Sequence, residues 1–366
     1  MQLSNLTSRI RGESKTIGLD IGHRFMKMAI VQHKQGFKGR LLALEQESIP
    51  EGVIVDNEIK NSIVLSEKVQ SLLLKTSPSN LDGDFIASVN WTSGILCDRI
   101  LVKYVPKVPE NELILQAAMA RSPFDEPNNV LDYFVVDRRD DGVEAIIVAA
   151  KKDVVSTWVD LFKTLNIRLA AIDIDAFALS NAYFLSSSQG PSDEQHEEDD
   201  SVLLLNLGYN KSYLAFMRNG HFNTARSFIG CSIQEMLEQL SSSLKIMQDK
   251  ARDLLFGNSG KELESDESGA KAAMEAVLED IGVKVDNAIR YFSSSDNYKT
   301  ASRIIIAGGA GINGLATHLS DRFSLDVFPL NPFRSVQIDP VRFRRIDFNA
   351  VASVYSVALG LALRKF

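Results

Sequence analysis

The residues best placed to do chemistry in this chain are Asp20, Asn206 and three glycine clusters, each at the end of a short apolar run. Leu19-Asp20-Ile21-Gly22 closes the run at 16–21 and leads into a second at 25–31. Leu205-Asn206-Leu207-Gly208 does the same between 202–207 and 212–217, and Ile304-Ile305-Ile306-Ala307 runs into Gly308-Gly309-Ala310-Gly311. Glycine lets a backbone approach phosphate oxygens and aim its N–H groups at them. A helix N-terminus after the third cluster would add a favourable dipole. Asp20 stands where it can face a phosphate-bound magnesium, through water as that ion prefers; capping the turn at Gly22 is its plainer role. His23 and Arg24 fill the turn, Arg24 with a fork that suits phosphate. Lys27 on the returning strand either reaches phosphate or stays solvated, and Ser212 offers a hydroxyl. Asn206 can hold a water but cannot act as a general base. The set therefore predicts binding of a magnesium-bound phosphate ligand ahead of its hydrolysis, and no residue is assigned a catalytic role.

Two strand–glycine turn–strand hairpins, followed by a strand, a glycine-rich turn and a helix, must hold these groups. That order predicts an α/β chain with the actin-like, ribonuclease H-like duplicated ATPase fold, which carries three phosphate-facing turns. A small α+β unit is expected inside its first half. Residues 1–15 read as a flexible tail. The first actin-like domain takes 16–85, 171–185 and 345–366, and the inserted domain 86–170. An acidic linker at 186–200 separates these from a second domain at 201–344, which carries a low-complexity loop at 257–269. Helices are expected at 62–74, where Ile63, Val64, Val69, Leu72 and Leu73 share a face, and at about 110–122, 153–165, 232–255, 270–292 and 348–364. Glu235 and Gln239 are read as helix-surface residues ahead of a ribose-side role.

Size and composition narrow the function. A chain of 366 residues has room for two or three domains. A net charge of −7 argues against nonspecific nucleic-acid binding. Cys97 and Cys231 lack metal or redox spacing and read as core thiols. No apolar h-region opens the chain, and the longest apolar stretch, 351–363, falls short of the roughly 20 residues a membrane helix needs. The expectation is a soluble cytoplasmic protein that reaches a membrane only through partners.

Four stretches make a resemblance specific. IGLDIGHRFMKMAIV, VPENELILQAAMARSPFDEPNNVLDYFVV, IRLAAIDIDAFALSNAYF, and VFPLNPF with VYSVALGLALRKF are similar to the PilM family, the actin-like proteins of the type IV pilus inner-membrane platform. The resemblance implies an FtsA-like architecture, ATP and Mg2+ in an interdomain cleft, and a groove beside the inserted domain. That groove would take the cytoplasmic N-terminal tail of PilN, a membrane-anchored partner; assembly motor ATPases and self-association are further contacts it leaves open. Phe124, Tyr133 and Phe134 are candidate groove contacts, with core packing the competing role. The family's first turn commonly has serines or threonines where this chain has His23-Arg24-Phe25, and Asn206 replaces an acid. The reading is thus a scaffold whose cleft binds ATP weakly or without efficient turnover. An active ATPase or small-molecule kinase of the same fold is the alternative, and an FtsA-like membrane-tethered filament protein is the second.

Overall fold

The structure, a computed structural model, describes residues 13–36, 38–91, 94–187, 201–257, 267–294 and 300–364. Its chain builds the same five-stranded arrangement twice. In the first lobe β1 (Glu13–Ile21), β2 (Phe25–Lys34) and β3 (Gly39–Ser48) form an antiparallel meander. A two-stranded hairpin, β4 (Ile54–Val55) and β5 (Glu58–Ile59), and helix α1 (Ser62–Leu74) follow. Then β6 (Asp84–Val89) pairs parallel with β1, and β10 (Leu169–Ile174) parallel with β6.

The second lobe repeats the pattern. Strands β11 (Ser201–Leu207), β12 (Ser212–Arg218) and β13 (His221–Phe228) form the meander. Strand β14 (Arg303–Gly308) runs parallel to β11, and β15 (Asp326–Pro329) parallel to β14. Parallel central strands are buried on both faces, which is why 202–205 and 304–307 read as unbroken apolar runs. A further short strand, β16 (Val336–Gln337), joins the outer side of β3.

Between β6 and β10 sits the inserted unit. Strands β7 (Ile95–Lys103), β8 (Asn129–Arg139) and β9 (Gly142–Lys151) form an antiparallel sheet in the order β7-β9-β8. Strand β9 alternates strictly. Val143, Ala145, Ile147 and Ala149 meet helix α2 (Glu110–Met119) in one small core. Ile146 joins the large core beside Trp158, Leu161 and Phe162 of helix α3 (Lys152–Thr164).

Helix α4 (Asp175–Ser187) leads away from β10. The second lobe adds α5 (Ile233–Leu244), α6 (Gln248–Leu255), the long α7 (Glu267–Ser293) and α8 (Leu315–Phe323). The short α9 (Phe348–Val351) and α10 (Ser356–Ala362) return the chain to the first lobe, where α10 packs on α4, β1 and β2.

Several expected boundaries move. The strand at 13–21 takes in residues assigned to the tail. Strand β6 lies wholly in the first sheet rather than opening the inserted domain, and the chain has already returned to the first lobe at β16, before 345. One expected helix at 232–255 is two, broken at Lys245, whose φ of 55° is left-handed and ends α5. The helix expected at 348–364 is likewise two. Helix α7 starts inside the expected 257–269 loop, of which 258–266 lie outside the described residues, as do most of the acidic linker (188–200) and residues 1–12. Among the described residues no helix is long and apolar enough to cross a membrane.

Candidate functional site

The two lobes enclose a cleft of about 410 Å³, and all three glycine turns open onto it. The first two turns are built alike: Gly22 N donates to Phe25 O at 3.1 Å, and Gly208 N to Lys211 O at 3.1 Å. The third is tied across the chain, with Gly308 N donating to Ser353 O at 3.0 Å and Ser353 Oγ to Gly308 O at 3.3 Å. Gly308 has a φ of 67°, and a β-carbon there would sit 2.4 Å from Leu207 O and 3.1 Å from Asn206 Oδ1. Only glycine fits at that spot without moving the second turn.

Asp20, Gly22, His23, Arg24, Lys27, Asn206, Gly208, Gly308 and Gly309 line this one cleft. Ser212 and Ala310 do not. Ser212 is buried on β12, one residue from Tyr213, so the alternation of the strand turns it away from the cleft that Tyr213 faces. The helix after the third turn begins only at Leu315, capped by Gly314, and neither residue lines the cleft. Its dipole is therefore not aimed where the sequence suggested. Glu235 closes a capping box with Ser232, and Gln239 donates to Asp280, so both serve helix structure outside the cleft.

The charges are arranged in pairs. Lys27 Nζ donates to Asp20 Oδ2 at 3.0 Å across the first hairpin, and Asp20 is almost fully buried. Arg24 spends part of its fork on Ile49 O at 3.1 Å. Lys211 of the second turn meets Asp56 of the β4–β5 turn at 2.8 Å, which ties the lobes together. Phe25 and Tyr209 also meet edge-to-face between the lobes, at 6.5 Å. His23 lies near Lys211 and Asp56: burial pushes its imidazole below the ordinary range, Lys211 pushes the same way, and Asp56 opposes them. Its Nε2 is buried with no hydrogen-bond partner among the described residues.

Asp175, at the start of α4, was not singled out from the sequence. It is buried in the cleft, and its Oδ1 accepts from Trp91 N at 2.6 Å. Burial pushes its carboxyl up to about 8; the amides of Trp91 and Ala176 pull it back, while Asp20 and Asp173 add to the rise. Tyr213 stands beside Asp175 and Asn206, and burial raises its hydroxyl well above the usual phenol range. That hydroxyl makes no hydrogen bond of good geometry among the described residues and lines the cleft. Arg252 and Phe256, from α6 and the residue after it, also line the cleft.

A second groove, about 320 Å³, lies between the inserted unit and the lobes. Phe134 and Ile146 line it from the inserted unit, Asp173, Phe177 and Phe184 from β10 and α4, and Phe222 from the second lobe. Of the three aromatics proposed as partner contacts, Phe124 is 6% exposed and Tyr133 packs beside it in the small core. Phe134 alone, 57% exposed, looks into the groove. Cys231 is buried and Cys97 half-buried, and burial pushes both thiols up to about 12, leaving neither as a thiolate at neutral pH.

With this geometry in view, known proteins sort clearly. The type IV pilus assembly protein PilM family matches residues 18–366. A chain solved as the PilM-PilN type IV pilus biogenesis complex is 21% identical, with a TM-score of 0.76 over 95% of this chain and 98% of its own. The ethanolamine utilization protein EutJ from Carboxydothermus hydrogenoformans is 13% identical, with a TM-score of 0.52 over 95% and 89%. The duplicated sheets, the inserted unit and the near-complete family match agree: this chain belongs to the PilM family of type IV pilus assembly proteins.

Proposed function

We propose that the protein is a cytoplasmic scaffold of the type IV pilus inner-membrane platform. In this reading it holds the N-terminal tail of a PilN-like membrane protein in the second groove and carries ATP with Mg2+ in the interlobe cleft without efficient turnover. One observation carries the proposal. Asp173 walls the groove and Asp175 walls the cleft, two residues apart at the junction of β10 and α4. A ligand that shifts one wall shifts the other, so nucleotide in the cleft would tune the grip on the tail.

The groove suits a short apolar tail: Phe134, Ile146, Phe177, Phe184 and Phe222 supply aromatic and aliphatic surface, with Asp173 and Arg364 as a polar pair at its wall. A synthetic PilN-like tail peptide should bind at tens of micromolar or tighter, read by fluorescence anisotropy. Phe134→Asp should weaken it at least about tenfold, since an exposed aromatic anchor is a typical hot spot. No binding at that concentration would sink the tail-docking reading.

The cleft also fits its proposed ligand. Two buried polar groups, His23 Nε2 and the Tyr213 hydroxyl, make no hydrogen bond of good geometry among the described residues, and Lys27, Arg24, Lys211 and Arg252 bring positive charge to the lining. Lys27 and Lys211 would hold the phosphates, Asp20 would face the hydrated magnesium, and Arg252 and Phe256 would flank the base. The bound metal would supply charge neutralisation of the phosphates. Titration calorimetry with ATP and Mg2+ should show saturable binding that Asp20→Ala weakens at least about tenfold. Absence of binding at millimolar ATP would leave a scaffold with an empty fold.

Turnover is disfavoured on the protein's side. Asn206 cannot take a proton, and Asp175 mostly holds its own at pH 7. The ATPase reading draws on the same Asp175, whose carboxylate forms as the pH passes about 8. Phosphate release that rises through that pH and vanishes in Asp175→Asn would establish the ATPase instead.

A further inference from the structure

The chain carries seven more acidic than basic side chains, yet one face is strongly basic. It is formed where β16 pairs with β3, bringing Val336 opposite Gly39 and Gln337 opposite Arg40. Lys38 Nζ donates to Arg334 O at 3.2 Å, and Arg40 reaches Asp339 at 3.5 Å, so the β2–β3 loop and the segment 334–347 form one continuous surface. Lys38, Arg40, Arg334, Arg342, Arg344 and Arg345 are all exposed on it. Only two carboxylates share these segments, and both are engaged: Asp339 accepts from the backbone of Val341 and Arg342, and Asp347 caps α9. Phe333, Phe343 and Phe348 pack edge-to-face beneath the segment and fix it to the lobe. At its tip Val341 is 78% exposed, an apolar side chain set among arginines.

We infer that this face rests on an anionic lipid surface, adding a direct contact to whatever association partners provide. Three features favour a lipid surface over an acidic protein. The cations are spread over exposed positions along a loop and the edge of the first sheet, and none of them lines either cavity described above. Five of the six are arginines, whose planar forks suit phosphate. Val341 stands where an apolar tip can enter the headgroup layer while the arginines stay in it. Placement agrees as well. The 3₁₀ turn Pro332–Ser335, which carries Arg334, packs against α4, the helix whose Asn181 and Phe184 line the second groove. A membrane-anchored tail held in that groove would bring this face toward the same bilayer; the test below omits the tail, so it stands or falls apart from the tail-docking reading.

The experiment is co-sedimentation of the purified full chain with vesicles of phosphatidylglycerol or of phosphatidylcholine, at about 50 mM and about 500 mM salt, the second shortening the screening length severalfold. Binding is expected to phosphatidylglycerol only, to fall at high salt, and to drop on the order of 100-fold or more in R342E/R344E/R345E, since each cation near an anionic leaflet is worth about fivefold. Those side chains are exposed, so the variant should keep the wild-type melting temperature. Val341→Ser, which leaves the charge unchanged, should weaken binding several-fold through loss of the apolar tip. No sedimentation of wild type at low salt would overturn the inference. Equal binding by wild type and the triple variant would also overturn it, as would capture of a polyglutamate peptide in place of vesicles.

Discussion

Asp175→Asn should make the protein more stable at pH 8 to 9 and flatten its stability between about pH 4 and pH 8. The buried carboxyl titrates near 8 in the folded chain and near the ordinary value of about 3.9 when unfolded. Between those values the folded state holds a proton that the unfolded state has released. Stability from this group is therefore greatest at low pH, falls by about 1.4 kcal/mol per pH unit through the window, and levels off above about pH 8. Asparagine keeps an oxygen for Trp91 N and cannot ionise, so it removes this slope while leaving the low-pH stability nearly unchanged. The difference between wild type and variant isolates the group from every other titration. Denaturant unfolding of both proteins at pH 5, 7 and 8.5 measures it, and parallel pH profiles would show that Asp175 is not buried as the cleft places it. The same variant reads function: nucleotide binding should survive, because an uncharged side chain already stands there at neutral pH.

That Asp175 had to come from the structure shows where sequence reading stops. The glycine turns were legible because each ends an apolar run long enough to be a central strand; the runs at 16–21 and 202–207 occupy equivalent places in the two sheets, and 303–308 is the parallel neighbour of the second. Asp20 stood out for the same reason. Asp173-Ile174-Asp175 also ends an apolar run, but it leads straight into a helix and lacks the glycine turn that flagged Asp20. Its meaning depends on β10 lying beside β6, a pairing across the entire inserted unit that no local pattern encodes.

Other misses share that cause. The tie between Lys211 and Asp56 joins turns far apart in the chain, and β16 is two residues long, too short to carry a period. Lys245 ends a helix in a left-handed conformation that nothing in its type announces. Ser212 failed for a local reason: its neighbour Tyr213 faces the cleft, and a strand cannot aim two successive side chains the same way.

Gly360→Ala should destabilise the protein by about 3 kcal/mol, at the upper end of what overpacking costs. In an exposed helix interior the same change would add up to about 1 kcal/mol of stability. Here the added carbon would sit 1.9 Å from Ala178 O and 2.7 Å from Ala178 C. Those are backbone atoms of a neighbouring helix, so no rotamer change relieves the clash, and α10 must separate from α4. The separation would also stretch the hydrogen bond from Asn181 Nδ2 to Gly360 O, now 2.8 Å. Because α4 carries Asp175 at one end and Asn181 and Phe184 in the groove, the displacement should weaken both nucleotide and tail peptide as well as lower the melting temperature. Gly282→Ala is the matched control. It lies inside α7, and its added carbon would meet Arg322 Cδ at 2.9 Å and His318 Nε2 at 3.1 Å, both in side chains able to shift. That variant should melt at or slightly above wild type. Equal melting temperatures for Gly360→Ala and Gly282→Ala would mean that α4 and α10 are not held in backbone contact, and the route from cleft to groove through α4 would lose its rigid support.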